Sequence, residues 1–170
     1  MTRAPIVLLA GLLAGCGYHV AGRADLMPKN IKNIAIPAFG NITTRYQLAR
    51  LLPADITHEF ISRTRYRIVA DPNGADAVLT GTLTNFIPIP SVVDPQTGRA
   101  TGVEVIVQMQ LTLTDRATGK ILFQRPGYEF RERYEIATDP QAYFDETGTA
   151  IQRVSRSAAR TIVTAILENF

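Results

Sequence analysis

The 170-residue chain holds one cysteine, no tryptophan and two histidines. A single cysteine, Cys16, excludes a disulfide within the monomer. The two histidines, His19 and His58, belong to no Cys/His/Asp cluster with metal-ligand spacing, so no metal centre is expected. Their scarcity also removes a player from the common acid–base schemes. Ser91 and Ser155 sit outside any Gly-x-Ser-x-Gly elbow. The adjacent carboxylates Asp145 and Glu146 fall on a predicted helix, where neighbours do not face each other. Asp-Pro-x-x-Gly occurs at 71 and at 94, and both read as turns rather than as a phosphate-cradling loop. An enzyme is not expected. Charge is equally sparse: 18 Lys and Arg against 15 Asp and Glu give a net +3. Long basic runs are missing. The nearest is Arg63-Thr64-Arg65-Tyr66-Arg67, which reads as cations at a helix C-terminus running into a strand, so nucleic acid is not expected as a partner.

A run of ~20 apolar residues, the length that crosses a bilayer as a helix, is also absent. The longest uncharged stretch, Ala4 to Leu13, is about half that length and follows Arg3, as the h-region of an export signal follows its n-region. Leu13-Ala14-Gly15-Cys16 comes next and resembles the lipobox of bacterial lipoproteins. The chain is therefore expected to be cut before Cys16, with residues 1–15 as signal peptide, and to carry lipid (palmitate among its chains) on that cysteine. A lone thiol in an exported protein calls for an explanation, and lipidation supplies one. Each buried CH₂ contributes ~0.8 kcal/mol, so two or three acyl chains hold a protein on a membrane where one binds reversibly. The covalent lipid is the only non-protein group expected; no cofactor is. Gly17 in place of Asp resembles the pattern that sends Gram-negative lipoproteins to the outer membrane, on its periplasmic face.

Residues 16–30 hold two Gly and a Pro with no period and read as a tether; residues 31–170 are one domain's worth. Ile31 to Phe39 reads as a strand ended by Pro37, with Gly40-Asn41 turning the chain. Thr44 and Gln47 have capping-box spacing. Leu48, Leu52, Ile56 and Phe60 follow at steps of four, predicting a helix over 44–63 with a kink or late start at Pro53. Period two then takes over at Tyr66, Ile68 and Ala70, and again from Ala77. Residues 88–102, with Pro88, Pro90, Pro95 and Gly98, read as a long loop. Val103, Val105, Val107, Met109, Leu111 and Leu113 alternate with mostly polar residues, the pattern of a one-sided antiparallel sheet. Asp115 to Gly119 reads as a hairpin, and Lys120 to Phe130 as its return strand, broken or bulged at Pro126-Gly127. Asp139-Pro140 opens a C-terminal helix with Ile151, Val154, Ala158, Ile162 and Ala165 on one side and Arg153, Arg156 and Arg160 on another. The order β-α-β-β-β-β-α predicts an α+β, two-layer sandwich: a mostly antiparallel sheet of four to five strands with both helices on one face.

Cys16-Gly17-Tyr18-His19-Val20, the phrase Ile34-Ala35-Ile36-Pro37-Ala38-Phe39 leading into Asn41 and Thr43, Glu59-Phe60-Ile61-Ser62-Arg63, and the long last helix together resemble the lipopolysaccharide-assembly lipoproteins, the LptE family. The resemblance covers residues 13–170. It implies a plug inside the outer-membrane β-barrel LptD, which the domain would help assemble, and contact with lipopolysaccharide on its way to the outer leaflet. Similar Ile-x-Ile-Pro-x-Phe-x-Asn segments occur in curli-secretion pore proteins and in activators of peptidoglycan synthases, which keeps those functions open as the alternative. If each strand pairs with its sequence neighbour, the loops 88–102 and 131–138 lie side by side at one edge of the sheet. They carry Arg99, Arg131 and Arg133, with Glu132 and Glu135 among them and Ile87, Ile89, Val92 and Val93 adding apolar area. Arginine suits bidentate phosphate contact, so these three are the candidate lipopolysaccharide-binding residues.

Overall fold

The computed structural model describes residues 27–135 and 140–170, with the backbone alone for 140–147. The cleavage point, Cys16, His19 and Asp139 lie outside the described residues, as do the side chains of Asp145 and Glu146. The elements in chain order are β1 (Asn33–Ala35), β2 (Gly40–Asn41), α1 (Tyr46–Arg63), β3 (Arg67–Val69), β4 (Ala77–Val93), β5 (Ala100–Asp115), β6 (Ile121–Glu135) and α2 (Pro140–Leu167). The sheet runs β3-β1-β4-β5-β6, with β2 also paired to β4. The long pairs β4–β5 and β5–β6 are antiparallel, whereas β1 lies parallel to both β3 and β4. This is the expected two-layer α+β architecture, with one short strand added where Gly40-Asn41 was read as a turn: Gly40 pairs with Thr82 and Asn41 with Leu83.

The core lies between the helices and one face of the sheet. Leu48, Leu52, Ile56 and Phe60 of α1 are at most 1% exposed, as steps of four on one helix face require. Burying side chains of this size contributes about 1.5–3 kcal/mol each. From α2 the stripe is Ile151, Val154, Ala158, Ile162 and Ile166, and from β5 it is Val103 to Leu113 at every second residue. The helices run parallel. Asp55, Glu59 and Arg63 of α1 meet Ser155, Arg160 and Thr164 of α2 in rising order.

Three local expectations are corrected. The Thr44–Gln47 capping box does not form: α1 starts after Arg45 without a side-chain cap. Asn41 takes that role one turn earlier, its Oδ1 accepting from the Thr43 N–H and hydroxyl, while Thr43 Oγ1 accepts from the Arg45 N–H. Nor does the helix start late at Pro53, which is buried inside it. Finally, residues 88–102 are not a long loop. β4 continues to Val93 and β5 begins at Ala100. Pro88 and Pro90 are tolerated there because β4 pairs with β5 on one side, while its pairing with β2 on the other stops at Leu83. A missing N–H on a free edge costs no ladder bond.

The two hairpins are built alike. Asp94-Pro95-Gln96-Thr97-Gly98-Arg99 and Asp115-Arg116-Ala117-Thr118-Gly119-Lys120 both place the aspartate against backbone N–H groups two and three residues on. Both put glycine at positive φ, 68° for Gly98 and 69° for Gly119, where a side chain would be strained. The N–H of Gln96 foremost, then that of Thr97, hold the Asp94 carboxyl below the usual carboxylate range; the Thr118 N–H leads the same effect at Asp115.

Candidate functional site

The face of the sheet away from the helices is uncovered among the described residues. Near the β5–β6 hairpin it is mostly polar: Thr80, Thr82, Gln110, Thr112, Thr114 and Gln124 stand on it at paired positions, with Val78 and Ile121 flanking Thr114. Toward the β4–β5 hairpin its character changes because of one bulge. Leu83 pairs with Met109, but Asn85 pairs with Gln108. Thr84 is therefore an extra residue, and the strand's parity flips. Before the bulge Leu79 and Leu83 face the core; after it Phe86 and Pro88 take the helix side, and Ile87 and Ile89 turn to the open face beside Ile106 and Glu104. Ile89 is 41% exposed, with Val92 at 50% and Val93 at 51% further along the same strand.

Arg131 and Arg133 reach this face from β6, opposite Ile106 and Glu104. They are strand residues, because β6 runs on to Glu135 rather than ending at Phe130. Two residues apart on one face, they stand roughly 7 Å from each other along the strand. Arg99 does not join them. It closes the β4–β5 hairpin five residues before Glu104, hence roughly 16 Å further along the strand axis. The carboxylates beside the arginines differ in part from expectation. Glu132 pairs with Val105 and so belongs to the helix side, whereas Glu135 pairs with Gly102 and keeps the arginines' face, joined there by Glu129 and Glu104. Arg131 Nη2 lies 2.7 Å from Glu129 Oε1, and Gln108 Nε2 donates to Glu129 Oε2. The hydrogen bond from Gln108 and then that from Arg131 hold the Glu129 carboxyl low, and Glu129 in turn raises the guanidinium of Arg131. Arg133 has no such partner among the described residues and lines a hollow of about 610 Å³ with Tyr134, Glu135, Thr149 and Arg153. Arg153 was expected only as a helix-face cation. That it lines one hollow with Arg133 does not follow from spacing, since this depends on where α2 lies against the end of β6.

Residues 31–166 match the LptE family, described by its role in lipopolysaccharide assembly. The chain belongs to that family. The fold is also that of solved structures. A protein from Xanthomonas campestris superposes with a TM-score of 0.54 at 11% identity, covering 84% of this chain and 89% of its own. The rare lipoprotein B from Shewanella oneidensis gives 0.50 at 18% identity, covering 78% of this chain and 94% of its own. At such identities the likeness is one of fold. No curated protein matches the chain.

Proposed function

We propose that this LptE-family chain is an outer-membrane lipoprotein, held by lipid on Cys16, that plugs and helps assemble the LptD β-barrel and binds lipopolysaccharide in transit. Family membership over residues 31–166 carries the reading. The geometry is compatible with it. A plug must present polar surface to a polar lumen, and the open sheet face does so with its threonines and glutamines. A lipopolysaccharide handler needs cations for phosphate next to apolar area for acyl chains. Arg131 and Arg133 adjoin Ile87, Ile89 and Ile106 on that same face, with Arg99 at the hairpin tip. The role is binding and scaffolding, without catalysis or a cofactor.

Two measurements test it. Tagged chain drawn from native membranes should bring down a large β-barrel protein; recovery of a peptidoglycan synthase or of a homo-oligomeric pore would overturn the plug. Displacement of labelled lipopolysaccharide should weaken when Arg131 and Arg133 both become Glu. Both arginines are exposed, so only a modest weakening is expected, shrinking further at high salt. Arg50→Glu with Arg156→Glu is the control, because Arg153 shares a hollow with Arg133. Equal loss from both pairs would remove the site.

A further inference from the structure

The basic run Arg63 to Arg67 is divided by the fold among three tasks. Arg63 Nη1 donates to the Arg160 carbonyl and to Thr164 Oγ1, tying α1 to α2. Thr64 ends α1, its N–H and hydroxyl both donating to the Phe60 carbonyl. The chain then turns into β3, where the Arg67 N–H donates to the Lys32 carbonyl at 2.8 Å. That turn leaves Arg65 beside the segment entering β1. There Met27, Pro28, Lys29, Ile31, Lys32, Arg65 and Tyr66 line a hollow of about 400 Å³. Three of the seven are cations and none is an acid. Lys29, Lys32 and Arg65 are exposed, while Met27 is 4% and Ile31 3% exposed. Among the described residues no ion pair or hydrogen bond engages the side chains of Lys29 and Arg65. Asp76 is the acid beside Lys32, and its Oδ2 already accepts from the N–H groups of Lys32 and Asn33 and from Asn33 Nδ2.

Cations around a partly apolar wall, with no carboxylate lining it among the described residues, match a phosphate attached to something greasy. Position identifies the source. Ile34 pairs with Ala77, at the start of β4, whereas Arg131 and Arg133 lie toward the β4–β5 hairpin. The hollow is therefore at the opposite pole of the sheet from the arginines. Met27 is eleven residues from Cys16, a reach of at most roughly 40 Å, so on the anchored reading this pole is the one tethered within that distance of the bilayer. We infer that the Lys29–Lys32–Arg65 hollow takes the phosphate of an anionic glycerophospholipid headgroup, with Met27, Ile31 and Tyr66 against the glycerol and first methylenes, and so fixes how the domain stands on its membrane.

The anchored reading enters only in choosing lipid over free anion, and the test does not use the anchor. The full chain, purified from membranes in neutral detergent, is titrated with dihexanoylphosphatidylglycerol, dihexanoylphosphatidylcholine and inorganic phosphate. The anionic lipid should bind and the zwitterionic one should not. Lys29→Gln with Arg65→Gln should weaken binding about tenfold, as two partly exposed charge contacts would. Arg116→Gln with Lys120→Gln, cations of the hairpin at the same pole, should change it less than about twofold. Equal weakening by both pairs would mean diffuse attraction and overturn the site, as would equal binding of both lipids or none of either. Inorganic phosphate binding as tightly as the anionic lipid would overturn the lipid assignment. In every case the barrel and lipopolysaccharide tests stand untouched.

Discussion

Gly81 shows how closely one residue can specify this packing. The Phe39 ring, 7% exposed, lies flat over it, and a Cβ at Gly81 would meet ring atoms at 2.5 to 2.8 Å. Ring and strand backbone cannot both keep their places. Phe39 follows Pro37 and precedes β2, so moving the ring also disturbs the pairing of Gly40 with Thr82. Gly81→Ala should therefore destabilise the domain by about 1–3 kcal/mol, the usual range for overpacking. A lower urea midpoint at unchanged slope is the expected result. The paired change Gly81→Ala with Phe39→Leu should recover part of the loss, because the shorter side chain vacates the space. Had alanine been tolerated alone, the ring would not be pressed on the strand.

The seam between the two helices carries polar contacts. Ser155 is fully buried, and its hydroxyl donates to Asp55 Oδ2 across from α1. Further along, Arg160 Nε lies 3.4 Å from Glu59 Oε1. Replacing Ser155 by Ala removes the donor and leaves Asp55 short of a partner in a half-buried seam, which should cost about 1–3 kcal/mol. Asp55→Ala with Ser155→Ala should cost less than the two single changes added together, because the orphaned carboxylate goes too. A double-mutant cycle on thermal or urea unfolding reads this; strict additivity would mean that the bond contributes nothing.

At the same scale, the sequence was legible where a period repeats and illegible where a single residue breaks it. Alternation from Val103 to Leu113 showed strand, face and core membership at once, and steps of four did the same for α1. The far half of β4 was hidden. Pro88 and Pro90 argue against a strand until its free edge is known, and the extra residue at Thr84 exchanges the faces of the residues from Asn85 to Pro90, where the register shifts again. Ile87 and Ile89 therefore lie on the face opposite the one that continued alternation from Leu79 would assign. For the candidate site this mattered directly. The arginines were found by their place near one end of the meander, but which of them stand together depends on β6 reaching Glu135, and that extension follows from β5 being available as a partner.

Taken whole, the molecule gives a membrane few handles. No helix among the described residues is long and apolar enough to cross a bilayer. The exposed apolar side chains of β4, Ile89, Val92 and Val93, offer few CH₂ and CH₃ groups, whereas an anchored protein takes the ~0.8 kcal/mol of each buried CH₂ over several tens of carbons. On the proposed function, retention rests on Cys16 or on an enclosing barrel, and these can be separated. The first described core residue is Met27, eleven positions after the cysteine, so Cys16→Ala should leave the fold intact, with a melting temperature within about 2 °C of the parent. Wild-type chain should enter the detergent phase on phase separation and show acyl mass on its N-terminal cysteine. The variant should either remain as uncut precursor, identified by mass, or appear cut and in the aqueous phase when the barrel is absent. With the barrel present it should still co-purify, because enclosure does not need the lipid. A wild-type chain without acyl mass, or a cut Cys16→Ala chain that still enters detergent alone, would overturn the lipoprotein reading while leaving family membership and the barrel test as they are.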